Sequence, residues 1–155
     1  MKQYKIEARA LGDYQVVVLG GGVAGICAAV TAARQGVSVL LCEAMGCLGG
    51  TMTQGLVPQM LDAANKGGLV REFYDALDAK GMTCPRYGVR VAPDGKKLRG
   101  ALVDVEGAKV YFDTLCHEAG VDVLLYARAV HAEVQAGRIT GVIIATECGN
   151  FFVAG

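Results

Sequence analysis

The chain has 155 residues, balanced formal charge, 53% apolar residues and 22 glycines. That length fits one domain or a piece of a larger protein, and the apolar content is enough for a packed core, which excludes a disordered chain. Zero net charge gives no electrostatic footprint for nucleic acid or for an anionic membrane surface.

The N-terminal stretch MKQYKIEARALGD carries charges with no apolar run behind them, so it does not read as a secretory signal. The most apolar region, residues 16–41, is interrupted by glycines and by Arg34-Gln35. A membrane span needs about 20 nearly uninterrupted apolar residues. A soluble, cytoplasmic protein is expected. Six cysteines, at 27, 42, 47, 84, 116 and 148, form no CxxC pair and are expected to be free thiols in a reducing compartment. Cys42 and Cys47 have no accompanying cysteine pair or histidine ligand, so no metal site is expected.

Residues 14–19 (YQVVVL) are short, β-branched and without alternation, which predicts a buried strand. Glycines follow at once, and then an alanine-rich helix over 23–35 with Gly36 as its C-cap. A second buried strand is expected at 37–42, followed by a glycine-rich irregular stretch at 44–58. Apolar residues at 69, 70, 73 and 77 make a helical stripe over 69–80, with Gly81 beyond its end. Residues 82–103, with a Pro-Asp-Gly turn at 93–95, read as a loop or a small hairpin. A helix over 105–119 ends at Gly120, and 121–126 (VDVLLY) reads as a third buried strand. Residues 128–154, with turns at Ala136-Gly137 and Cys148-Gly149-Asn150, read as a three-stranded antiparallel meander.

The strand at 14–19 runs straight into Gly20-Gly21-Gly22-Val23-Ala24-Gly25, a GxGxxG at the mouth of a helix. Gly20 permits the tight turn, Gly22 leaves room for a pyrophosphate against the backbone, and Gly25 lets helix and strand pack closely. The free N–H groups and the positive end of the helix then face the diphosphate. Glu43 ends the second strand, where its carboxylate can accept hydrogen bonds from an adenosine ribose and would repel a 2′-phosphate. The strand–glycine–helix context with a following acid is what this motif requires. By itself it does not separate FAD from NAD. Gly49-Gly50, in a loop placed to pass over the dinucleotide, and a meander after the third strand favour FAD.

Residues 7–57, with Leu48-Gly49-Gly50 after the acid, resemble the start of the FAD-dependent oxidoreductase family. Residues 67–81 and 103–146 are similar to that family's second helix and to its third βαβ stretch and meander. The resemblance implies that Gly20, Gly22, Val23, Ala24 and Gly25 hold the pyrophosphate and Glu43, with Ala44 beside it, the ribose. It further implies that Gly49, Gly50 and Thr51 approach the diphosphate and ribityl side, and that Ala129 offers backbone to the adenine. Met52 and Val57 lie where related disulfide reductases carry cysteines, so dithiol chemistry is not expected. In the family a further strand with an ATG-type glycine motif and a substrate domain follow; here the sequence stops at FFVAG, so it resembles an N-terminal part of such an enzyme.

Other candidates have plainer readings. Cys47 reads as a loop thiol without a role, since no His or Lys lies near it in sequence to activate it. His117 and His131 read as structural histidines. Arg86 and Arg90 could meet an anionic substrate or simply lie in an exposed loop, and the Lys96-Lys97 pair reads as a solvated turn.

The expected fold is α/β: a Rossmann-like, three-layer FAD-binding domain over 1–155, with a parallel sheet in the order 3-2-1, helix 23–35 on one face and the meander on the other. The expected function is the FAD-binding part of a flavin-dependent oxidoreductase that exchanges hydride or electrons with a small-molecule substrate. An NAD-binding module and a non-catalytic FAD-binding subunit are the alternatives. No catalytic acid or base stands out. Alone, the chain is expected to self-associate through an unpaired edge at the first strand, hold FAD weakly and show no turnover.

Overall fold

The computed structural model describes residues 5–61, 66–84, 90–91, 97–98 and 100–155. In chain order they form strands β1 (Arg9–Asp13) and β2 (Val16–Leu19), helix α1 (Val23–Ala33), strand β3 (Val39–Cys42), a 3-10 turn (Gly50–Met52) and strand β4 (Gln59–Met60). Helix α2 (Gly68–Ala79) follows, with short strands β5 (Thr83–Cys84), β6 (Arg90–Val91), β7 (Lys97–Leu98) and β8 (Ala101–Val103) after it. Helix α3 (Val105–Ala119), strand β9 (Val121–Leu124) and the meander β10 (Arg128–Gln135), β11 (Arg138–Thr146) and β12 (Gly149–Ala154) complete the chain.

The parallel sheet runs in the order β2-β3-β9, with Val17 opposite Leu40 and Leu40 opposite Asp122. This is the expected order. Side chains alternate across the sheet. Val39 and Leu41 join the core under the helices, with Ile26, Val30, Phe73, Leu77, Phe112 and Leu115. Leu40 and Cys42 face the other way and pack with Val142, Ile144 and Val153 of the meander. Helices, sheet and meander are therefore three layers with two cores. In the helical core, the Phe73 and Phe112 rings meet edge-on, centroids 5.7 Å apart at 78°. Burial of one such side chain stabilises the fold by roughly 1.5–3 kcal/mol.

The strands expected at 14–19 and 121–126 are shorter than read, and neither is wholly buried. Of the three parallel strands only β3, with neighbours on both sides, is buried at every residue. β2 and β9 are the two edges of the sheet. β9 stops at Leu124, and Tyr126 turns the chain at φ +52°. Helix α1 ends at Ala33, because Gln35 and Gly36 bond back three residues in a tightened turn before Gly36 takes φ +84°.

The charged N-terminal stretch contains an unexpected strand, β1, which pairs in parallel with the expected β12. Arg9 secures it: its guanidinium donates to the Cys148 carbonyl at 3.0 Å and lies 4.8 Å from the Phe151 ring. Residues 82–103 supply β8, which pairs with both β4 and β5, and the antiparallel pair β6–β7. The turn expected at 93–95, Arg86 and Lys96 lie outside the described residues. Among the described residues no helix is long and apolar enough to cross a membrane.

Candidate functional site

β2 enters its turn at Gly20, whose φ of +109° suits glycine alone. The Gly20 N–H donates to the Cys42 carbonyl at 2.7 Å, which ties the turn to the end of β3. The next N–H, of Gly21, donates to Glu43 Oε2 at 2.6 Å, while Glu43 Oε1 accepts from the Met45 N–H at 2.8 Å. Glu43 is only 8% exposed. Its carboxylate thus fixes both the glycine turn and the loop after β3, and each oxygen keeps further lone-pair capacity for a ligand hydroxyl.

Gly25 is needed for packing. A β-carbon there would lie 1.8 Å from the Gly20 carbonyl oxygen. At Gly22 the opposite holds: a β-carbon would meet nothing within 4 Å. Gly22 is the N-cap of α1 with no side-chain cap, and the first intrahelical bond runs from the Ile26 N–H to its carbonyl at 2.9 Å. The N–H groups of Val23, Ala24 and Gly25 have no intrahelical acceptor, and the positive end of α1 opens beside the space at Gly22.

The second wall of this space comes from the loop after Glu43. Gly49 donates to the Gly21 carbonyl at 2.8 Å and forms a parallel bridge with Gly22. Gly49 and Gly50 have φ of +106° and +54°, and a β-carbon on Gly50 would lie 3.0 Å from the Gly22 α-carbon. Two backbone segments therefore touch where side chains would hold them apart, and Thr51 follows, exposed at the rim. Beyond Glu43, a recess of about 140 Å³ is lined by Leu19, Gly20, Glu43, Ala44, Arg128 and Ala129, among others.

The residues assigned to the cofactor in the sequence thus lie at the C-terminal ends of β2 and β3, in the loop after β3 and at the start of β10. That end is where open α/β sheets take their ligands. Arg128, which also lines the recess, had no signal in the sequence beyond its adjacency to Ala129. Cys42, buried behind the turn, has its thiol pushed up to about 11 by burial.

Cys47 is half-buried, and its Sγ lies 3.9 Å from Thr53 Oγ1. Lys109 of α3 is held above the usual ammonium range, chiefly by its hydrogen bond to Glu106. His117 and His131 are both exposed, so neither is a core histidine.

A family model described as FAD dependent oxidoreductase matches residues 15–155. The chain belongs to the FAD-dependent oxidoreductase family. Digeranylgeranylglycerophospholipid reductase 2 of Methanothermobacter thermautotrophicus is 31% identical over 160 residues, a match covering 91% of this chain and 39% of the relative. The digeranylgeranylglycerophospholipid reductase of Methanospirillum hungatei is 30% identical over 142 residues, covering 85% of this chain and 34% of the relative. The chain therefore spans well under half the length of these curated relatives.

Among solved structures, a geranylgeranyl bacteriochlorophyll reductase-like protein from Thermoplasma acidophilum superposes with a TM-score of 0.68 at 20% identity, over 93% of this chain and 38% of that one. A myxobacterial chondrochloren halogenase, a variant of FAD-dependent halogenases, gives 0.69 at 20% identity, over 93% and 36%. At such identity these structures show the shared fold. The family's cofactor is FAD, which decides against a nicotinamide dinucleotide. The residues present fit FAD: open space at Gly22, an uncapped helix end, and a buried acid at the end of β3.

Proposed function

We propose that this chain is the FAD-holding part of a flavin-dependent oxidoreductase acting on a small organic substrate. The observation that carries the proposal is the empty space at the Gly22 α-carbon, bounded by the uncapped N-terminus of α1 and the Gly49-Gly50 backbone. A diphosphate placed there would accept hydrogen bonds from the free N–H groups of Val23, Ala24 and Gly25. Gly20 makes the turn that aims them. Gly49, Gly50 and Thr51 form the opposite rim, toward the ribityl side.

Glu43 would take the ribose hydroxyls, with Ala44 beside it. Ala129, at the entrance of β10, would offer backbone to the adenine. Bound FAD supplies the hydride or electron transfer, and these residues supply its position. Both curated relatives are named as reductases, which favours the direction in which the flavin delivers electrons.

The test is to purify the intact protein, denature it and identify the released ligand by mass spectrometry. FAD is the expected result; NAD, or FMN without adenosine, overturns the proposal. FAD present at full occupancy, without turnover of any electron donor or acceptor pair, would instead favour a non-catalytic FAD-binding subunit.

A further inference from the structure

Two polar side chains are buried among the described residues: Glu43 and Thr53. The first faces the candidate ribose site. The second has no role in anything above, yet it is fully enclosed at 0% exposure. Its Oγ1 donates to the Leu48 carbonyl at 2.5 Å and receives the Cys47 thiol at 3.9 Å. Its own N–H donates to the Gly50 carbonyl at 3.2 Å, and the Met52 N–H donates to the Gly49 carbonyl at 3.2 Å. The loop from Cys47 to Thr53 thus closes on itself around one hydroxyl.

What that loop touches gives the hydroxyl a consequence. A β-carbon on Gly49 would lie 2.5 Å from Thr53 Cγ2 and 2.6 Å from Thr53 Oγ1, so the Gly49 backbone rests directly on this side chain. From its other side Gly49 donates to the Gly21 carbonyl, and Gly50 lies against Gly22. Thr53 is the floor, the Gly49-Gly50 backbone the middle layer, and the glycine turn the top. The open space at Gly22, which this stack borders, is the proposed diphosphate cradle.

We infer that Thr53 is a positioning residue for the cofactor: its hydroxyl, through the Leu48 carbonyl, sets the height of the Gly49-Gly50 loop and so the position of the wall that this loop gives the cradle. This rests on the reading of the cradle given under Proposed function. Packing alone needs only the shape of the side chain, which valine reproduces. Valine would leave a buried carbonyl unpaired, and the loop can relieve that only by moving away from Thr53. A displacement of that kind alters the geometry a bound diphosphate meets.

The experiment compares wild type, Thr53→Val, Thr53→Ser and Gly22→Val in the intact protein. FAD affinity is measured by fluorescence titration, the visible band of the bound flavin by absorption, and apoprotein stability by thermal unfolding. Thr53→Val is expected to weaken FAD binding by about tenfold or more and to shift the flavin band, while Thr53→Ser stays within about threefold of wild type. Equal affinity in Thr53→Val and wild type overturns the inference. So does equal loss in the Val and Ser variants, which would make the methyl group responsible.

A lowered apoprotein melting temperature with unchanged affinity also overturns it, since that is a purely structural role. If Thr53→Val does not fold, Thr53→Ala against Thr53→Ser decides by the same criteria. Gly22→Val separates the two readings. Loss of FAD there with full binding in Thr53→Val removes only the present inference, whereas full binding in Gly22→Val removes the cradle itself.

Discussion

The glycines at the mouth of α1 serve different physical needs, and substitution separates them. Gly22 sits at φ −68°, ψ 173°, which any residue adopts, and its side-chain position is empty. Gly22→Val should leave the apoprotein within about 1 kcal/mol of wild type, the usual scale for losing a good N-cap residue, while abolishing FAD binding. Gly25→Val drives a side chain into the Gly20 carbonyl and should destabilise the fold by about 1–3 kcal/mol or more.

Thermal unfolding of both apoproteins, beside FAD titration, checks this; equal destabilisation would show that the two glycines are not distinguished by packing. Glu43 combines the two roles. Glu43→Ala removes the acceptor of the Gly21 and Met45 N–H groups as well as the proposed acceptor for the ribose. It should weaken FAD by roughly 1.5–3 kcal/mol and lower the apoprotein melting temperature. Glu43→Gln keeps one oxygen and should lose less. Wild-type affinity in both variants would remove Glu43 from the site.

Among the helices, α3 is fixed at both ends by its own sequence. Asp104 accepts from the Glu106 and Gly107 N–H groups at 3.0 and 3.2 Å, and Gly120 closes the other end at φ +77°. Asp104→Ala should cost about 1 kcal/mol, and Asp104→Ser much less. Denaturant unfolding gives the difference, and a neutral Asp104→Ala would mean that tertiary packing alone holds the helix end. Such local signals are why 105–119 was legible to the residue. α1 lacks an equivalent stop, and its last turn tightens before Gly36, so its end was read two residues late. The hydrophobic runs at β2 and β9 identified strands and, through topology, their order, but not that both are only partly buried. Whether a valine run lies at the centre or the edge of a sheet depends on what pairs beside it. β1, RALGD, has neither alternation nor an apolar run, and it is a strand because β12 offers it an edge.

At the scale of the whole molecule, parallel topology did most of the work of assembling the site. Once β2, β3 and β9 lie side by side, the residues that end them must meet, so Gly20–Gly25 and Glu43 were legible as one site from the chain alone. Thr53 was not, because its enclosure depends on how the loop after Glu43 folds back under α1 and α3.

The same topology leaves β2 at the edge of its sheet. Beside it runs an apolar groove lined by Val17, Leu19, Ile139, Val142 and Val153, with Leu19 49% and Ile139 65% exposed. Among the described residues no proline and no charged side chain lines this groove, although natural edges are commonly protected in that way. The 155-residue chain expressed alone is therefore expected to self-associate through β2. Size-exclusion chromatography with light scattering should show species larger than a monomer that grow with concentration. Ile139→Lys, which places a charge at the rim of the groove while leaving the buried strands untouched, should shift them toward the monomer. A wild-type chain that stays monomeric at every concentration would mean that the edge of β2 is protected by its own twist or by the meander, and that pairing at this strand drives no association.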